Sequence, residues 1–158
     1  MIELFPYVGQ TVTVSEEMCD FNGHMNVNHI KKVFEQGWEF SCNDFGLDEQ
    51  YFEEGFSTFT LEDCYRFRKE FLVNQEIFPR FRLFNVNEKL FHMLGALFDS
   101  QGNLCTTWEN VEGHIDMNTR KIAPFREDKL QKIMQIKSAH DSFGAIPYEL
   151  RLKIKDMT

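Results

Sequence analysis

Paired cysteines are missing from this sequence. Cys19, Cys42, Cys64 and Cys105 lie far apart with no C-x-x-C unit, which argues against a disulfide framework and for reduced, structural thiols. The five histidines are equally scattered; His24 and His29 alone are close, and a separation of five points them apart on a helix, so no metal site is expected. Positive charge is short too: 17 Lys and Arg against 25 Asp and Glu give a net charge of -8. That excludes nucleic acid as a general partner, because a phosphate backbone needs clustered cations. No Pro-, Gly- or Ser-rich linker divides the 158 residues, a length that suits one domain, residues 1–158. The opening MIELFPYVGQ has no basic region and no apolar run of signal-peptide or membrane-spanning length, so a cytoplasmic protein without a membrane partner is expected.

What the chain does have is phenylalanine, 17 of them, enough for a large apolar core, an association surface or an apolar ligand tunnel. It also has one unusually dense polar turn. Asp20, Asn22, Gly23, His24 and Asn26 bring a carboxylate, an imidazole and two amides together within seven residues, around a glycine where the backbone must bend. Apolar positions then recur at Val27, Ile30, Val33, Phe34, Trp38 and Phe45, the spacing of a helix face, with Asn26 as N-cap and Gly46 as stop. A helix starting beside an acid and an imidazole offers its free N–H groups and positive dipole end to an anion or a developing oxyanion.

Elsewhere the period changes to two. A short strand is expected at 10–15 and long ones at 57–69, 75–86, 89–98 and 104–117, the last three joined by turns as an antiparallel meander. Pro79 favours an edge or bulge position in the second. In the first, regular alternation puts Phe59, Leu61, Tyr65 and Phe67 on one face and Glu62, Cys64, Arg66 and Arg68 on the other. Residues 127–138 read as a surface helix, and the tail from Gly144 as extended or partly disordered, packing on a partner. A helix this apolar followed by a long sheet is best buried by the sheet curling about it, which makes the class α+β.

The motif DFNGHMN at 20–26, with TLEDCYRFRKE at 60–70 and KLFHMLGALFDSQGNLCTTWENVEGHIDMNTRKIAPF at 89–125, resembles the hotdog-fold acyl-CoA thioesterases of the 4-hydroxybenzoyl-CoA type. A closer similarity is to the betainyl-CoA thioesterases associated with carnitine dehydrogenases. The likeness covers about residues 8–125, leaving 126–158 as a peripheral helix and tail; His29 and Ile30 stand where the family carries tyrosines. It implies a hotdog fold, an antiparallel sheet wrapped around one long central helix, with sites between the subunits of a homodimer or dimer of dimers. It also implies hydrolysis of a short, medium or betainyl-type acyl-CoA with no cofactor beyond the coenzyme A of the substrate.

By that resemblance Asp20 is nucleophile or general base, and N–H groups at Gly23 and near Val27 polarise the carbonyl. His24 orients water or Asp20, and Asn26 caps the helix or donates to the carbonyl. Glu62 and Glu109 are candidates for lining the site, though strand carboxylates commonly face solvent or, as Glu62 could with Arg66, pair with a cation. Arg66, Arg68 and Lys69 either meet the phosphates of coenzyme A or form a solvated stripe. His92 and His114 read as structural. Two other classes remain open: a module that binds acyl-CoA without cleaving it, and an enoyl-CoA hydratase or dehydratase.

Overall fold

The computed structural model describes residues 1–155. Two short strands, β1 (Tyr7–Val8) and β2 (Val12–Thr13), precede the polar turn, so the strand expected at 10–15 shrinks to two residues. Asn26 opens α1 (Val27–Phe34), its Oδ1 accepting the Asn28 N–H at 2.9 Å. The single rod expected to Phe45 continues as a second segment, α2 (Gly37–Phe45). Between them Glu35 and Gln36 keep helical torsions, but the bonds tighten to the i→i+3 pattern, Trp38 N–H to Glu35 O and Glu39 N–H to Gln36 O. Gln36 is tied at this point to Gln10, accepting its N–H and donating to its carbonyl. A short α3 (Glu49–Glu53) follows, capped by Asp48.

Four long antiparallel strands complete the order: β3 (Phe56–Phe67), β4 (Glu76–Val86), β5 (Leu90–Phe98) and β6 (Leu104–Asp116). Their sheet runs β1-β4-β5-β6-β3, with β2 beside β4 and β7 (Lys121–Ile122) beside β6. Pro79 sits one strand in from the edge. Its carbonyl accepts the Gly9 N–H, so its ring nitrogen also faces the short strands and no bond to β5 is lost.

The inner face of the sheet buries Phe81, Phe91 and Trp108 against Ile30, Val33, Phe34 and Phe45 of the helix. Phe34 reaches the sheet because Gly95 leaves room: a Cβ there would stand 2.7 Å from the Phe34 ring and 2.8 Å from Trp108. On the outer face, Leu94, Ala96 and Phe98 pack under Phe5 and under Ile146, Tyr148 and Leu150 of the tail. α4 (Glu127–Asp141) packs along β4 with Ile133 and His140 buried, and His140 Nδ1 accepts the Leu83 N–H where a bulge interrupts β4.

The tail has neither helix nor strand, in keeping with the extended segment expected, but its packing differs from the sequence reading. Through residue 155 it lies on its own sheet rather than awaiting a partner; 156–158 fall outside the described residues. Its anchor is Glu109, which is buried and accepts N–H bonds from Arg151 (3.0 Å to each oxygen) and Leu152 (2.9 Å). Glu109→Ala would strand those donors, and a loss of about 2–4 kcal/mol in urea unfolding is expected, with faster tryptic cleavage after Arg151. Unchanged stability and cleavage would remove Glu109 as the anchor.

Candidate active site

The turn before α1 is built around Asp20. Its Oδ1 accepts the Asn22 N–H at 2.9 Å, and its Oδ2 accepts from Asn26 Nδ2 at 3.1 Å. Gly23, at φ 79°, lets the chain reverse so that Asp20 N–H meets His24 O and Gly23 N–H meets Asp20 O. Asn26 thus serves both ends of the motif, its oxygen on the helix and its amide on the acid. The Asn22 N–H above all, then the Asn26 amide and nearby His24, hold the Asp20 carboxyl below its ordinary pKa, so it is an anion at neutral pH. His24 stands between carboxylates, Nε2 3.9 Å from Asp20 and Nδ1 3.2 Å from Glu70.

Beside the turn opens a cleft of about 640 Å³ lined by His24, Met25, Val27, Ile30, Phe67, Arg68, Lys69 and Glu70. Val27 holds the first helical position, where an N–H has no acceptor within the helix. Farther along the same seam between helix and β3 lies a second cleft of about 630 Å³, whose lining includes Lys31, Phe34, Trp38, Asp63, Tyr65 and Trp108. Tyr65 and Phe67, one in each cleft, are neighbours with parallel rings. Among the described residues no group of three or more His, Cys, Asp or Glu is placed to hold a metal ion.

The structure brings Asp20, His24 and Asn26 together in the turn, sets His24 and Val27 on the adjoining cleft wall with Arg68 at its border, and leaves other candidates apart. Gly23 is in the turn, but its N–H is committed to Asp20 O. Glu62, Arg66 and Glu109 are on the far face of the sheet. Glu62 and Arg66 keep the expected alternation against Tyr65 and Phe67; a bulge between Thr60 and Glu62 displaces the residues before it instead. Phe59 and Leu61, expected on the face of Tyr65 and Phe67, are on the opposite one, because the extra residue shifts the alternation. Glu62 then pairs with Val111 on the tail side, where Arg66 meets Glu149 at 3.7 Å and Glu109 holds the tail. Asp63, not singled out from sequence, takes the inward position. Its Oδ1 accepts from Trp108 Nε1 at 2.8 Å and Asn110 Nδ2 at 3.0 Å. The signal was two adjacent acids in one strand, of which alternation must turn one inward. Lys69 reaches the first cleft but is bound to Asp99 at 2.6 Å. His114 is structural, donating from Nδ1 to Ala123 O and accepting from the Tyr51 hydroxyl.

The family model for the thioesterase-like superfamily matches residues 14–133. The chain belongs to that superfamily. An L-carnitine dehydrogenase/betainyl-CoA thioesterase of Rhizobium meliloti is 26% identical over 133 residues, 84% of this chain but 27% of the relative, so the chain spans about a quarter of that protein's length. Among solved structures, a Staphylococcus aureus protein in complex with CoA superposes with TM-score 0.79 at 22% identity, over 92% of this chain and 94% of that one. The DHNA-CoA thioesterase of the same organism gives 0.75 at 12%, over 89% and 96%. The architecture is thus the hotdog fold. At its helix entrance lies the DFNGHMN segment, with Asp20 and Asn26 in direct contact.

One consequence concerns pH. Asn26→Ser keeps an oxygen at the cap and removes the amide that stabilises ionised Asp20. The lowered pKa of Asp20 then rises, and for any acyl-CoA hydrolysis by this chain that uses the Asp20 carboxylate the acidic limb of kcat/KM is expected to move to higher pH. A limb at the wild-type pH would show that the Asn26 amide does not set the charge of the acid.

Proposed function

We propose that the chain hydrolyses acyl-CoA thioesters with Asp20 as general base or nucleophile. The observation that carries this is the ionised Asp20 carboxylate fixed by Asn22 and Asn26 at the entrance of α1, beside an open cleft. Asp20 takes the proton of an attacking water, oriented by His24, or attacks the carbonyl carbon itself. The Val27 N–H and the positive end of α1 meet the tetrahedral oxyanion. Collapse breaks the C–S bond, and the coenzyme A thiolate leaves and takes a proton; on the nucleophilic route a water then hydrolyses the acyl-Asp20 anhydride, releasing the free acid and restoring the carboxylate. Arg68 borders the cleft with its guanidinium over the Tyr148 ring of the tail, 5.4 Å from the centroid, and turning from that ring brings its charge to the phosphates of coenzyme A. The chemistry calls for no cofactor beyond the coenzyme A of the substrate.

The CoA complex of the Staphylococcus structure and the betainyl-CoA activity named for the Rhizobium relative support a short, medium or betainyl-type acyl-CoA as substrate. A homodimer is part of the same reading. β3 is an edge strand with one unpaired side, and Phe21 beside Asp20 is 98% exposed, as Leu61 and Phe67 are in lesser degree. Four free thiols and a CoA substrate suit the cytoplasm; among the described residues no helix is long and apolar enough to cross a membrane.

The test is a thiol-release assay over acyl-CoAs from acetyl to decanoyl, with benzoyl and betainyl members. Release of coenzyme A thiol is expected. Tight binding without release would make the chain a carrier module, and loss of enoyl absorbance without release a hydratase.

A further inference from the structure

On the outer face of the sheet, β4 buries an arginine that its surroundings use on one side only. Arg82 is 3% exposed, and its Nη1 donates to Leu4 O at 3.2 Å and to Gly144 O at 2.8 Å. The edge formed by Nε and Nη2 makes no hydrogen bond among the described residues. Beside it lies a cleft of about 440 Å³, whose lining includes Arg82 itself, Asp141, Phe84, Ile146, Tyr148 and Leu150. We propose that this cleft binds an amphiphilic monocarboxylate, with the carboxylate on the Nε and Nη2 fork and the hydrocarbon part against Phe84, Ile146, Leu150 and the Tyr148 ring.

The two halves of the cleft call for one molecule that carries both chemistries. Two parallel N–H groups on one guanidinium edge match the two oxygens of a carboxylate. A buried cation with unspent donors is costly to leave alone, so the fork gains by being paired. Asp141 does not pair it: Oδ1 stands 4.0 Å from Nη2, and Oδ2 accepts from Lys137 Nζ at 2.6 Å. Because Lys137 offsets Asp141, the charge of Arg82 is left over, and an anion is favoured over a neutral or cationic ligand. A small inorganic anion would gain nothing from the apolar wall, and a plain hydrocarbon nothing from the fork. The fork is also held ready, since the two carbonyl bonds of Nη1 fix the guanidinium plane.

This cleft is separate from the two beside α1. Arg82 is paired across the ladder with Leu94, which belongs to the cluster under the tail, whereas the other clefts open along the seam between the helix and β3. Binding there does not depend on hydrolysis at Asp20, and a failure of either leaves the other standing.

The experiment titrates octanoate into the full chain with NMR-labelled isoleucine and leucine methyl groups. The Ile146 and Leu150 methyls are expected to shift along a saturable curve, and 1-octanol to require about tenfold or more higher concentration for the same shift. Arg82→Gln loses the fork and should weaken octanoate by about tenfold or more. Should the loss of the Leu4 and Gly144 bonds unfold that variant, Ala145→Trp serves instead: it fills the cleft from an exposed position on its lining and should abolish octanoate binding with the melting temperature retained. Asp141→Asn removes the neighbouring negative charge and should bind octanoate at least as tightly as the wild type. Methyls that octanoate leaves unmoved, or 1-octanol bound as well as octanoate, overturn the site. Octanoate binding that survives Ala145→Trp or a folded Arg82→Gln places the ligand elsewhere and overturns it as well. Weaker binding by Asp141→Asn assigns that residue to the site's support rather than to its competition, and the fork is then not the free anion site described.

Discussion

Asp20→Asn is expected to lower kcat by about 10²- to 10⁴-fold, the range for loss of a positioned general base, with the fold intact. The amide is nearly isosteric with the carboxylate, and its oxygen can still accept the Asn22 N–H that closes the turn. What is lost is the negative charge and the capacity to take a proton. The neighbour at 3.1 Å sharpens the effect: Asn26 Nδ2 is a donor, and it would face either the new amide's oxygen or its NH2 group. Thiol release from the best acyl-CoA, measured beside a thermal melt, decides the matter. Wild-type turnover in a folded Asp20→Asn protein would take the acid out of the mechanism, and His24 or Glu70 would have to be examined as the base.

The second large effect concerns stability. Phe34 is fully buried, with the Trp108 ring at 5.4 Å, Tyr65 at 5.8 Å and Phe81 at 6.4 Å between centroids. Phe34→Ala is expected to cost about 3–5 kcal/mol, the usual loss for truncating a core phenylalanine. Gly95→Ala approaches the same contact from the sheet. Its new methyl would fall inside contact distance of both the Phe34 and Trp108 rings, and overpacking of this kind costs about 1–3 kcal/mol. The two should not add. Once Phe34 is truncated, a methyl at position 95 enters the space it vacated, so the double variant should be clearly more stable than the sum of the singles predicts. Urea unfolding of the four proteins tests this; strict additivity would mean that helix and sheet do not meet at Gly95.

Both predictions concern the helix entrance and its seat, where local sequence was most informative. Asn26 as cap, Gly23 in the turn and Asp20 beside the helix start could be read because each depends on residues within a few positions of itself. The four long strands were legible for the same reason, since alternation repeats every two residues. Phe59 and Leu61 show where such reading stops. One extra residue in β3 shifts the alternation, and nothing in TLEDCY marks the bulge; it is set by the register against β6, more than forty residues away. Glu109 is a similar case: only the docked tail gives a buried carboxylate its donors.

The sequence by itself determined the elements, their order and the acid at the helix entrance, because short-range torsions, caps and periods are properties of neighbouring residues. The tertiary structure decided which acids face the helix, that the tail closes the outer face of the sheet, and that a ring-lined cleft continues from the one beside the acid. Those depend on strand register and on packing between distant segments, where a shift of one residue reverses the direction of every side chain that follows.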